Sequence, residues 1–182
     1  MHDAITLRGQ AGRLKKSCFL LLASCLVLPC LGEQYLTTDE AIALVFENPK
    51  QVRKQEMANR EPSASDKLLV FTGELRNEKG RGIAFIDNVI GKHEPITYLV
   101  ALNAKGEVQR VEILEYREAY GGQIRQEEWR EQFHGKKPGD PLKHGEQIEN
   151  IAGATLSCKH VTEGVAKILK IFKEKKEEIL GE

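Results

Sequence analysis

A hydroxyl side chain, a glycine and the start of a helix come together in Glu149-Asn150-Ile151-Ala152-Gly153-Ala154-Thr155-Leu156-Ser157. Beyond this stretch Val161, Val165, Ile168, Leu169 and Phe172 recur at i, i+4, i+7, i+8 and i+11, a single apolar stripe on a helix. Thr155 therefore falls at a helix N-terminus, where unpaired N–H groups and the positive end of the helix dipole favour a phosphate. Gly153 and Ala154 let such a group approach closely, while Leu156 and Ser157 extend the cradle with further N–H groups and a hydroxyl. The plain alternative is that Gly-Ala-Thr only begins a helix. Thr155 is a poor nucleophile unassisted, and no His or Lys adjoins it in sequence to act as a base. Cys158 reads either as a thiolate stabilised by the same helix end or as a buried packing residue. His93 has no second His or Cys at a ligand-like spacing in its segment, so it reads as an exposed loop histidine, with a place in the lining of a ligand site as the other reading.

The elements that must position these groups are strands as well as helices. Leu68 to Leu75, Gly82 to Val89, Ile96 to Leu102 and Val108 to Tyr116 are rich in β-branched and aromatic residues. Turn signals at Asn77-Glu78-Lys79-Gly80 and Asn103-Ala104-Lys105-Gly106 separate two of the pairs, so the expectation is a four-stranded antiparallel meander. Thr37-x-x-Glu40 has capping-box spacing and opens a short helix over 38–46. That helix and the long C-terminal one over 156–174, which follows the Thr155 stretch, can cover the sheet, giving an α+β domain. Residues 50–66 lack sustained periodicity and read as a solvated helix or loop, and the charge-rich run 173–182 reads as a solvated helix end.

Arg8, Arg13, Lys15 and Lys16 precede an apolar run from Cys18 to Leu28, and Pro29-Cys30-Leu31-Gly32 follows. This order predicts a secretory signal peptide over 1–32, export to the periplasm or another extracytoplasmic space, and a single domain over 33–182. Leu22-Ala23-Ser24-Cys25 resembles a lipobox, which would instead leave a lipid anchor at Cys25. The whole chain balances 27 Lys and Arg against 27 Asp and Glu, and loss of residues 1–32 makes the remainder mildly acidic, without a nucleic-acid footprint. Of the four cysteines only Cys158 lies outside that segment, so neither an intramolecular disulfide nor a cysteine-based zinc site is available to the remainder.

After the fourth strand comes Tyr116-Arg117-Glu118-Ala119-Tyr120-Gly121-Gly122-Gln123, whose paired glycines serve either a tight turn or close approach to a ligand. Further on stands Trp129-Arg130-Glu131-Gln132-Phe133-His134-Gly135-Lys136. No dinucleotide fingerprint, Cys-x-x-Cys-His or iron–sulfur spacing is present.

Gly153-Ala154-Thr155-Leu156-Ser157, with acidic Glu149 six positions before the threonine, resembles the flavinylation motif of the FMN-binding domain family. That family includes the periplasmic flavin subunits of the Rnf complex and of the sodium-translocating NADH:quinone reductase, as well as small stand-alone exported proteins. Glu149 stands where the family usually has Asp, and Ala152 where it usually has Ser or Thr. Glu118, Gly121 and Gly122 resemble the family's glycine loop, and Trp129 to Lys136 resembles its aromatic, Gln-Phe, Gly-Lys segment. Order and spacing agree from about Tyr35 to Phe172.

The resemblance implies FMN joined through a phosphoester to Thr155 by a dedicated flavin transferase. Glu118, Gly121, Gly122, Tyr116 and Tyr120 are then candidates for the isoalloxazine pocket. It further implies an electron-transfer carrier or redox-complex subunit, rather than a stand-alone enzyme, that exchanges electrons with membrane or periplasmic proteins. Two other readings stay open: a module that holds FMN non-covalently, and an accessory interaction domain that binds no flavin.

Overall fold

The apolar runs between Lys67 and Tyr116 form the expected strands, and the sheet extends beyond them on both sides. The computed structural model describes residues 33–59 and 64–181; the leader expected over 1–32 and the anchor at Cys25 lie outside these. The meander comprises β3 (Lys67–Glu74), β4 (Arg81–Ile90), β5 (Pro95–Asn103) and β6 (Val108–Tyr116). Two strands flank it, β1 (Glu33–Gln34) beside β6 and β2 (Arg53–Ala58) beside β3, giving an antiparallel sheet in the order β1-β6-β5-β4-β3-β2. The expectation of four strands, with a helix or loop over 50–66, is corrected accordingly. β2 carries no apolar period because an edge strand pairs through its backbone: among Arg53–Ala58 only Met57 is buried, and charged residues on an edge discourage further pairing.

The two principal helices lie on opposite faces of this sheet. α1 (Thr38–Val45) begins with the full capping box, in which Glu40 N–H donates to Thr37 Oγ1 at 3.2 Å and Thr37 N–H donates to Glu40 Oε2 at 2.8 Å. Its Ala41, Ile42 and Val45 pack with Phe71, Ala84 and Leu99. α3 (Thr155–Leu180) lays Val161, Val165, Ile168, Leu169 and Phe172 on the other face, with Phe85, Val100 and Ile113. Each such side chain stabilises the fold by about 1.5–3 kcal/mol relative to exposure. β4 and β5 are thus covered on both sides, which is why they read as near-continuous apolar runs rather than as alternation.

One ionic cluster is sealed under α3. Asp87, fully buried on β4, pairs with Lys167 and accepts hydrogen bonds from Tyr98 Oη and Asn59 Nδ2, each at 3.0 Å. Gly164 faces this cluster, and its lack of a side chain is what lets α3 approach Tyr98.

The far end of α3 is solvated along Lys173, Glu174, Glu177 and Glu178, as expected for this charge-rich run, but not at its last two residues. Lys175 departs from helical geometry (φ −126°, ψ 17°), and beyond it Ile179 and Leu180 are buried in the α3-side core. Arg53 of β2 donates to Ile179 O at 3.0 Å and Arg81 of β4 donates to Leu180 O at 3.2 Å. These guanidinium groups satisfy terminal carbonyls and oppose the negative end of the helix dipole, and Gly181 closes the helix in the left-handed region at φ 71°.

Candidate functional site

Thr155 is the first residue of α3 and its side chain is exposed. The helix starts differently from α1, because no side chain caps it: Ala154 occupies the N-cap, and the first bond along the helix runs from Cys158 N–H to Ala154 O at 2.9 Å. The donors of the first turn are therefore not taken by a capping side chain. Gly153 adopts φ 84°, where a side chain would be strained, and no atom lies within 4 Å of where its Cβ would stand. Ala154 is buried, Leu156 is 42 % exposed, and Ser157 is buried.

The glycine loop after β6 packs directly against this helix start. Gly121 also has a positive φ, and a Cβ on it would lie 2.5 Å from Tyr116 Oη and 3.1 Å from Ala154 Cβ. Tyr116 Oη donates to Tyr120 O at 2.5 Å, and with that proton committed it accepts from Ser157 Oγ at 2.9 Å. Burial raises the Tyr116 phenol above its ordinary range, so it stays protonated in this bridge. Tyr116 and Ser157 thus clasp the loop to α3. Beside them opens a cavity of about 500 Å³, lined by Tyr35, Tyr120, Gly121, Gly122, Arg125 and Gly153 among others. The Arg125 guanidinium stands 4.6 Å from the centroid of the Tyr35 ring, a cation–π contact on the cavity wall.

A concave, partly aromatic chamber beside an uncapped helix start and an exposed hydroxyl suits a flat ring carrying a phosphate. In comparison with known families, residues 91–170 match the model of the FMN-binding domain. Those residues form an FMN-binding domain. The match runs from the β4–β5 turn through β5, β6, the glycine loop and Thr155 to Lys170 of α3. No curated protein matches the chain.

Glu118 has a different position in the FMN-binding domain from that of the loop glycines. Its Oε1 accepts from the backbone N–H groups of Lys92, His93 and Glu94, and it does not line the cavity. Burial opposes its ionisation, yet the three N–H donors outweigh that and hold its pKa below the ordinary value. His160 on α3 reaches the same turn, its Nδ1 lying 2.6 Å from Ile90 O and 2.9 Å from Gly91 O, so Nδ1 carries the proton there. The exposed His93 is held through its backbone. Cys158 is fully buried, and burial pushes its thiol pKa up, away from a reactive thiolate.

The aromatic segment holds the approach to Thr155. α2 (Glu127–Arg130) and the helical turn after it place Trp129 Nε1 to donate to Glu149 O at 2.8 Å and Gln132 Oε1 to accept from Glu149 N–H at 2.7 Å. Three site residues had no local signal in the sequence. Tyr35 and Arg125 come to one wall from segments 90 residues apart in the chain. Asn150 directs Nδ2 to Thr155 Oγ1 at 3.2 Å. Among the described residues no helix is long and apolar enough to cross a membrane.

Proposed function

We propose that this protein is an exported flavoprotein that carries FMN through a phosphoester to Thr155 and passes electrons between membrane or extracytoplasmic redox partners. The observation that carries the reading is an exposed hydroxyl on the first residue of a helix with no side-chain cap, next to the cavity that Gly153 and the glycine loop line.

The residues present fit the group. A phosphate on Thr155 Oγ1 would meet N–H groups of the first helical turn and the positive end of the dipole of a 26-residue helix. Gly153 leaves open space in front of that turn, where a larger residue would be strained. The flavin ring would enter the chamber bounded by Tyr35, Tyr120, Gly121, Gly122 and Arg125. Bound FMN supplies reversible electron and hydride chemistry, which none of the chain's own side chains offers. The protein holds the phosphate, presents an aromatic and cationic wall to the ring, and fixes the chain on both sides of Thr155 through Trp129, Gln132 and Tyr116. Export rests on the basic, apolar, small-residue order of residues 1–32. A covalent link suits such a location, since a released cofactor would be lost by dilution.

The test is an intact-mass spectrum of the denatured protein after production with a flavin transferase, beside its Thr155→Ala variant. The expected result is a mass increase of one FMN less one water in the wild type and none in the variant. A bare wild-type mass with flavin freed on denaturation would replace the covalent reading with a non-covalent one. A colourless, bare protein would defeat both.

A further inference from the structure

We infer that Asn150, oriented by His144, is the positioning residue for the Thr155 hydroxyl during flavin attachment, an inference that rests on Thr155 being the acceptor. Asn150 Nδ2 lies 3.2 Å from Thr155 Oγ1, and its Oδ1 lies 3.1 Å from His144 Nε2. The three side chains form one line, although they come from the loop before the motif, the motif itself and the helix. The loop that carries them is pinned. Gly145 N–H donates to Ile148 O at 2.8 Å, Ile148 is fully buried, and Glu149 is held on both sides of its peptide by Trp129 and Gln132.

A carboxamide has one accepting end and one donating end. With Oδ1 facing the imidazole, whose Nε2 then carries the proton, the NH₂ end faces Thr155. Thr155 Oγ1 is consequently an acceptor in this contact, and its own proton remains free to be taken. That matters because a threonine hydroxyl on the first helical residue has more than one rotamer open to it. The bond from Asn150 narrows that choice.

The attachment step balances with a donor in which the flavin phosphate is held in a phosphoanhydride, as in FAD. Thr155 Oγ1 attacks the flavin phosphorus, a new P–O bond forms, the anhydride P–O bond breaks, AMP leaves, and the hydroxyl proton passes to a base on the transferase. No group is oxidised or reduced. Asn150 Nδ2 remains beside the oxygen that becomes the ester bridge, so its contribution is orientation and charge stabilisation rather than proton transfer.

The test follows the mass increase over time with purified full chain, a flavin transferase and FAD, and extracts kcat and KM for the protein acceptor. Asn150→Ala is expected to lower kcat about tenfold, the size of one directed hydrogen bond, with KM for the acceptor and the thermal midpoint unchanged. His144→Ala is expected to lower kcat about threefold, and His144→Gln to restore most of it, since its amide can still donate to Asn150. Wild-type kcat in Asn150→Ala would overturn the inference while leaving Thr155 as acceptor. A defect confined to KM would overturn it in favour of recognition by the transferase, and equal rates for His144→Gln and His144→Ala would remove His144 from the device. An unlabelled wild type would overturn the acceptor reading and this inference with it.

Discussion

Replacing Gly164 with alanine sets helix propensity directly against packing, and the structure says which wins. Gly164 lies inside α3, where glycine-to-alanine ordinarily stabilises by about 1 kcal/mol. Here the added Cβ would stand 2.3 Å from Tyr98 Oη, 2.8 Å from Tyr98 Cζ and 3.1 Å from Val89 Cγ1. Tyr98 is fully buried and cannot swing into solvent, so either its ring or α3 has to retreat. Overpacking of this kind costs about 1–3 kcal/mol. Retreat also breaks the 3.0 Å bond from Tyr98 Oη to the Asp87 carboxylate, and a bond to a charged group contributes about 1.5–3 kcal/mol. Set against the propensity gain, the expected outcome is a net loss of roughly 1.5–5 kcal/mol. Urea denaturation gives the number, provided the m-value is unchanged. The companion variant Tyr98→Phe removes the closest clashing atom, so Gly164→Ala should do less harm in that background than in the wild type. A Gly164→Ala protein as stable as the wild type, or more so, would refute the claim that this glycine is what lets the helix approach the buried cluster.

Two further expectations concern the glycine loop and its carboxylate anchor. Gly121→Ala combines the left-handed strain of about 1–2 kcal/mol with a Cβ 2.5 Å from Tyr116 Oη, whereas Gly153→Ala, with nothing within 4 Å, incurs only the strain. Denaturation should therefore show Gly121→Ala to be the more damaging by about 1–2 kcal/mol, and equal losses would contradict packing of the loop on Ala154. Glu118 predicts an acid limb: its folded pKa lies below 4.5, so its contribution is fully present above that pH and is lost as pH falls through the folded value. Glu118→Gln should flatten the dependence of stability on pH in that window, and an unchanged slope would show that the three N–H contacts contribute nothing.

The legibility of this chain follows from what each element buries. α3 and the four central strands could be read because each buries several large apolar side chains at a regular period, and α1 because Thr37 and Glu40 sit at the spacing that a capping box requires. β1 has two residues and β2 buries only Met57, so neither leaves a pattern; both exist because β6 and β3 offered unpaired backbone. The last turn of α3 reads as solvated because its charge density outweighs two apolar residues, Ile179 and Leu180, which are buried in the core and whose carbonyls meet arginines more than 90 positions earlier. Around the candidate site, local sequence is enough to locate the start of α3 at Thr155 and the turn at Gly121. It could not locate the Tyr35–Arg125 wall, which exists only once β1 has paired with β6. Nor did it separate Glu118, which resembles a cofactor ligand in its motif, from the anchoring role that its three backbone partners define.

The way α3 is held has a mechanical consequence for its near end. The helix runs roughly 39 Å at about 1.5 Å per residue, and it is gripped at Ile179 and Leu180 by residues from two different strands. Ahead of the kink at Lys175, the regular part of the helix is bedded on the sheet through Val161, Val165, Ile168, Leu169 and Phe172, which hold its near end in place. Whatever Thr155 carries is thus mounted at a fixed point, with only the torsions of that side chain and its adduct for reach. Under the proposed function, partners would have to dock close to that point, because the mount does not reach out to them.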